Sequence, residues 1–231
     1  IDVEAVKVYD GITTVTDSGA PAPGKLLTGT LATEGLAFVG AQGAEATQLA
    51  QRLAGGDEAL QSLIRIHAAA EIRSEGDLDV NMIGGAWATP SERADITVWG
   101  ADASAVGDSA ITLRAAGDLT VRSSIDAGFH GSGARSEAGG SLRFVAGADL
   151  GAASPTAVQR AGGADLVIGR NNGSREVLVR TTTGDIRLAA AGDIDLSQGN
   201  ARLYSTGVAA DDAAAQAVRQ QLFDPNAFRV A

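Results

Sequence analysis

The chain of 231 residues has no cysteine, 4% aromatic residues, two histidines and one methionine. Without cysteine there is no disulfide framework and no thiolate metal site. The two histidines, His67 and His130, build no HxH, HExxH or three-ligand set, and no GxSxG elbow accompanies them. So few aromatics leave a compact core of the usual enzyme kind short of its bulkiest components. No apolar run approaches the ~18 residues of a membrane span, and no charged segment followed by an apolar one opens the chain as a signal peptide would. Positive charge is also short, with 18 basic against 28 acidic residues and a net charge of −10. That balance argues against nucleic acid and against anionic membrane surfaces as partners. The start at Ile1 reads as an internal piece of a longer protein, and a cysteine-free chain suits export.

What is present is small and aliphatic: 45% hydrophobic residues and 30 glycines. A core thin enough for Val, Ile, Leu and Ala to fill suits a narrow sandwich or a solenoid. A short phrase recurs, Gly/Ala, then Asp/Ser, then Leu/Ile, any residue, apolar. It appears as GDLDV (76–80), GDLTV (117–121), GSLRF (140–144), ADLVI (164–168), GDIRL (184–188) and GDIDL (192–196), with looser relatives ADITV (94–98) and SAITL (109–113). Each phrase reads as a short strand with alternating apolar positions, opened by a turn. Steps of eight residues suggest strand, tight corner, strand. Steps of 20 to 24 residues suggest one full circuit of a coil. An antiparallel sandwich would want hairpin turns, for which only Asp10-Gly11 and Asn172-Gly173 are candidates. The expectation is therefore an all-β chain folded as a parallel β-helix with short helical insertions.

Four stretches divide the chain: a solenoid start at 1–40, a helical insertion at 41–62, solenoid repeats at 63–207, and a helical insertion or cap at 208–231. Ala46, Leu49, Ala50 and Leu53 fall at helical spacing, Asp57 is placed to cap the helix DEALQS, and the alternation of LIRIHAAAEIRS then marks a return to strand. Near the end Ala215, Val218 and Leu222 share a helical face that Pro225 stops.

The aspartates are the most tempting chemistry. A column of them would suit calcium or acid–base work, but the calcium-binding nonapeptide pattern is absent. Turn chemistry accounts for Gly76-Asp77, Gly117-Asp118, Gly184-Asp185 and Gly192-Asp193: glycine supplies unusual backbone angles and aspartate bonds a backbone N–H just ahead. The outward position of the six phrases reads Asp79, Thr120, Arg143, Val167, Arg187, Asp195, without the converging acids and base of a polysaccharide-cleaving site. The glycine-rich loop at 128–140, with Phe129 and His130, lacks the lysine of a phosphate cradle and reads as an excursion between circuits. Asn172-Gly173-Ser174 matches a glycosylation triplet that an Asn-Gly turn explains equally. Trp87 and Trp99 flank a polar stretch; packing of the connection 81–93 explains them more simply than sugar stacking. Trp87, Trp99, Phe129 and His130 are the candidate contact-loop residues. No catalytic residue, metal or cofactor is implied.

The runs EIRSEGDLDV (71–80), AITLRAAGDLTVRSSIDAGF (110–129), SLRFVAGADLGAASP (141–155) and TTTGDIRLAAAGDIDLSQGNARLYSTG (181–207), in that order, resemble the repeat region of filamentous haemagglutinin-like exoproteins. The opening VEAVKVYDG (3–11) is similar to the stretch before a helical insertion in such proteins. That resemblance implies a right-handed β-helix and a place outside or on the surface of a Gram-negative bacterium. It also implies a non-catalytic role in adhesion, biofilm or toxin display. The implied partners are the rest of a longer exoprotein, copies of the chain, surface glycans or proteins, and an outer-membrane transporter during secretion by the two-partner route. Nucleic acid and membrane insertion are not implied. The other expectations to weigh are a self-assembling scaffold or sheath and a carbohydrate-active β-helix enzyme.

Overall fold

The computed structural model describes residues 1–16, 19–31, 34, 44–81, 96–97, 110–127, 140–169, 176–205 and 207. The chain opens with β1 (Asp2–Tyr9), β2 (Thr14–Thr16) and β3 (Lys25–Leu27). Helices α1 (Ala44–Ala54) and α2 (Glu58–Leu63) follow. Twelve strands come next: β4 (Arg65–Ser74), β5 (Leu78–Val80), β6 (Ile96–Thr97), β7 (Ala110–Ala115), β8 (Leu119–Val121), β9 (Ile125–Ala127), β10 (Leu142–Ala146), β11 (Leu166–Ile168), β12 (Glu176–Thr181), β13 (Ile186–Ala190), β14 (Ile194–Asp195) and β15 (Asn200–Ser205).

The structure is mostly β, and every ladder between named strands is parallel. The first sheet has the order β1-β4-β7-β10-β13, the second β14-β11-β8-β5-β2-β3 and the third β15-β12-β9-β6. From β4 onward each sheet takes every third strand, so the chain visits the three in rotation and builds tiers. The Asp10-Gly11 hairpin reading gives way here: β1 and β2 lie in different sheets, and Gly11, with φ +70°, turns a corner between them.

Alternation explains why these short runs are strands. Tyr9, Ile72, Leu113, Phe144 and Leu188 occupy one register line of the first sheet. Leu78, Leu119, Leu166 and Ile194 do the same in the second. Ile125, Val179 and Leu203 line the third. These residues other than Ile194, with their alternate neighbours, form one continuous core, in which Phe144 is the sole fully buried aromatic among the described residues. The low aromatic content thus matches an interior whose opposing walls are close together.

Steps between tiers differ from the 20 to 24 residues read from the phrases. Aligned corners stand 41, 47 and 28 residues apart along the second sheet, because insertions interrupt the rotation. One of them, 147–165, folds back beside the first sheet, with Ala148 bridged to Val158 and the Gln159 amide donating to the Ala148 carbonyl. Asp57 caps α2, its Oδ1 accepting from the Ala59 and Leu60 N–H groups. Among the described side chains of α1 the buried ones are Ala50 and Ala54, while Leu53 is half exposed, so the inward face is rotated from the one read at Leu53. Among the described residues no helix is long and apolar enough to cross a membrane.

Candidate functional site

The repeated phrases occupy two sheets. GDLDV, GDLTV, ADLVI and GDIDL open strands of the second, whereas GSLRF and GDIRL open strands of the first. Asp77, Asp118, Asp165 and Asp193 therefore form one column at the corner leading into the second sheet, and Asp185 stands apart on the first.

The bond these carboxylates make is not the local turn bond expected from sequence. The Asp118 N–H donates to Asp77 Oδ1 at 2.9 Å, the Asp165 N–H to Asp118 Oδ1 at 2.8 Å, and the Asp193 N–H to Asp165 Oδ1 at 2.8 Å. Asp77, Asp118 and Asp165 each tie their tier to the next. On the first sheet Ser141 serves the same purpose, its Oγ accepting from the Asp185 N–H at 3.3 Å. Local aspartate turns do occur, at Asp149 with the Gly151 N–H and at Asp195 with the Ser197 N–H, away from the Gly-Asp corners. The Ser197 hydroxyl and N–H hold the Asp195 carboxyl below its ordinary range.

The glycines also act differently from expectation. Gly76, Gly117, Gly184 and Gly192 are not among the positive-φ residues. A Cβ on Gly117 would collide with the Asp77 carboxylate, and one on Gly192 with the Asp165 carboxylate and the Gly163 carbonyl. Glycine is required because the carboxylate from the tier before fills the space a side chain would need.

The outward row read from six phrases likewise splits in two. Thr14, Asp79, Thr120, Val167 and Asp195 share one register line of the second sheet. Glu71, Thr112, Arg143 and Arg187 share one on the first. Arg143 and Arg187 face each other, yet each holds its own carboxylate: Arg143 bonds both oxygens of Glu4 at 2.9 and 2.6 Å, and Arg187 reaches Asp185 at 2.8 Å. The Glu4 bond keeps the Arg143 guanidinium above its usual pKa range against the opposing effect of burial. In a flat sheet β1 and β10 would stand about 14 Å apart. The sheet is therefore not flat between Glu4 and Arg143.

Sequence reasoning missed a buried ionic cluster. Arg114, on β7, is 2% exposed. Its Nη1 donates to Glu71 at 2.7 Å and its Nη2 to the Asp149 carbonyl at 2.5 Å, while its Nε has no partner. Arg73 donates to the same Glu71 oxygen at 2.8 Å. Burial pushes the Glu71 carboxyl up, but the bonds from Arg73 and Arg114 outweigh it and leave the group below its ordinary value. The insertion 147–165, whose Asp149 carbonyl closes over Arg114, is what makes this outward position dry.

Two other polar features lie on the second sheet and at its end. Asp79 pairs with Arg122 at 3.1 Å through one oxygen, and its other oxygen is buried without a partner. Burial raises its pKa despite Arg122. Beside it, Thr13, Thr14, Thr16, Pro23, Gly24, Lys25 and Asn81 line an open groove of about 390 Å³. At the β1 edge Glu34 accepts from Lys7 at 2.5 Å and from the Tyr9 hydroxyl at 2.6 Å. The Lys7 and Tyr9 bonds lower the Glu34 pKa, and burial with the Glu34 bond raises that of Tyr9.

Among the described residues no group of three or more His, Asp or Glu side chains could hold a metal ion. Most of the placed carboxylates are committed to N–H groups or guanidinium ions. Trp87, Trp99, Phe129 and His130 lie outside the described residues, as do Asn172-Gly173-Ser174 and 208–231; His67 lies within β4. No family model, no curated protein and no solved structure matches the chain.

Proposed function

We propose that this chain is a structural and adhesive segment of a large secreted surface exoprotein of a Gram-negative bacterium, and that its three parallel sheets wind as a right-handed β-helix. The observation carrying this reading is the corner ladder, Asp77 to Asp118 to Asp165 to Asp193, which adds one identical bond per tier. A fold extended by repeating one tier suits a shaft whose strand N–H and C=O groups are satisfied along its axis. Support also comes from the charge balance and from the committed state of the placed carboxylates, which favour a non-catalytic wall. Contacts with surface glycans or proteins belong on the loops that leave the strands, with Trp87, Trp99, Phe129 and His130 the residues to probe. During secretion the partner is an outer-membrane transporter.

Immunogold electron microscopy with antibodies raised against the purified chain tests the reading on intact cells of the source bacterium. Label at or beyond the outer surface, on thin rods, is expected. Label appearing only after lysis would sink it.

A further inference from the structure

Asp10-Gly11, which forms no hairpin, is the corner between β1 and β2 and the only Asp-Gly step in the chain. At three corners of the second sheet the residue after the aspartate is a leucine whose N–H is engaged. The Leu78 N–H donates to the Asp118 carbonyl at 2.9 Å, the Leu119 N–H to the Asp165 carbonyl at 3.0 Å, and the Leu166 N–H to the Asp193 carbonyl at 2.9 Å. Asp10 differs on every count. Its side chain is 72% exposed, and its ionic contact, with Arg73 Nη1, is a loose one at 3.8 Å. Gly11 has φ +70°, and no atom beyond its chain neighbours stands within 4 Å of the position a Cβ would take. Among the described residues the Gly11 N–H has no partner. The residues on either side are fixed: Tyr9 pairs with Ile72, and the Ile12 N–H donates to the Arg73 carbonyl at 2.9 Å.

We propose that Asp10-Gly11 is a site of spontaneous covalent modification, where aspartate converts to isoaspartate through a cyclic imide while the chain stays folded. The Gly11 backbone nitrogen attacks the carbon of the Asp10 side-chain carboxyl group. An N–C bond forms, a C–O bond breaks, and the amide proton leaves with the departing hydroxyl as water. Water then adds to one carbonyl of the five-membered ring. Opening at the main-chain carbonyl gives isoaspartate, and opening at the side-chain carbonyl returns aspartate. The sequence of steps consumes no oxidant or reductant. Three features select this corner. No Cβ on residue 11 obstructs the ring closure. The attacking nitrogen gives up no hydrogen bond to become the nucleophile. The exposed carboxyl group is held by no short contact and is free to turn toward it. At Asp77, Asp118 and Asp165 the nitrogen in question belongs to a leucine and would first have to break a bond that joins two tiers. The product carries one extra methylene group in the main chain, so it lengthens the link between the first and second sheets where the fold begins.

Peptide mapping by mass spectrometry tests the proposal on the full chain, aged for weeks at neutral pH while circular dichroism shows it folded. The peptide holding residues 10 and 11 should gain a second form of unchanged mass, identified as isoaspartate by fragmentation, together with a transient form one water lighter. Peptides holding Asp77, Asp118 and Asp165 should convert at least about tenfold more slowly. Asn172-Gly173 can close the same ring by losing ammonia, and its own peptide and change of mass tell it apart. Asp10→Glu keeps the charge but would need a six-membered ring, so the product should vanish. Asp10→Asn, with ammonia as the leaving group, should form it at least about tenfold faster. Product that appears only in urea would mean that the fold holds the corner out of reach, and overturns the proposal. So would equal conversion at Asp10 and Asp118, or no conversion at either.

Discussion

At the residue scale, the glycines of the Gly-Asp corners divide into two kinds. Gly117 and Gly192 face a carboxylate from the preceding tier, while nothing stands near the position a Cβ on Gly76 would take, because the column begins there. Gly117→Ala and Gly192→Ala should therefore each cost about 1–3 kcal/mol in urea unfolding, the range for forced overpacking. Gly76→Ala should stay within about 0.5 kcal/mol. Equal effects at the three positions would mean that backbone freedom, rather than space, selects glycine. The aspartates allow a parallel test. Asp118→Ala strands the Asp165 N–H at a partly wet corner and should cost about 1 kcal/mol, with Asp118→Asn less harmful because an oxygen acceptor remains. Calcium or chelator should leave the melting temperature unmoved. The sequence makes plain that Gly and Asp stand together, but the atom each aspartate bonds is 28 to 47 residues away. No local pattern carries that information.

At the element scale, β4 and β7 carry charged residues on an alternating pattern that reads as a solvated outer wall. The insertion 147–165 changes the outcome by covering Arg114, so Glu71 becomes the counter-ion of a buried guanidinium. Glu71→Ala should cost about 3–5 kcal/mol because it leaves that charge unpaired. Arg114→Met, which removes the charge and the unpartnered Nε together, should cost clearly less. The pH dependence follows from direction alone. The folded-state pKa of Glu71 lies below its unfolded value, so its contribution is present above about pH 4.3 and is lost as pH falls through the folded value. Asp79 has the opposite sign: its folded pKa is raised, so its ionisation opposes folding and the penalty disappears as the group is protonated. Stability curves of Asp79→Asn and the unaltered chain, measured from acid to neutral pH, should converge at low pH, with the variant the more stable at neutral pH. A variant less stable at neutral pH would show that the Arg122 pair outweighs burial. Strand alternation was legible in sequence because period two is local. Sheet assignment was not, since GSLRF and GDIRL have the same period as GDLTV and only their place in the rotation puts them on another wall.

At the scale of the whole molecule, the stack is shorter than its residue count suggests. Five strands in the first sheet span about 19 Å at the usual strand spacing, because the insertions add residues without adding height. On the reading proposed above, a shaft of any reach needs many more tiers, and this chain contributes the stiffness of its own tiers. In a stack bound mainly between neighbours, each inner tier is held on two sides and an end tier on one. The β13–β15 tier, at the edge of all three sheets, should therefore open first. Amides of β13 should exchange faster than those of β7, whose strand lies between two partners. The same asymmetry fixes the expected cost of truncating matched core residues. Leu119→Ala, at a fully buried site with partners above and below, should cost about 2–5 kcal/mol. Ile194→Ala, half exposed at the open end, should cost about 1 kcal/mol, since much of its apolar surface already meets water. Matching losses at the two sites, measured by chemical unfolding, would mean that Ile194 is as well covered as Leu119.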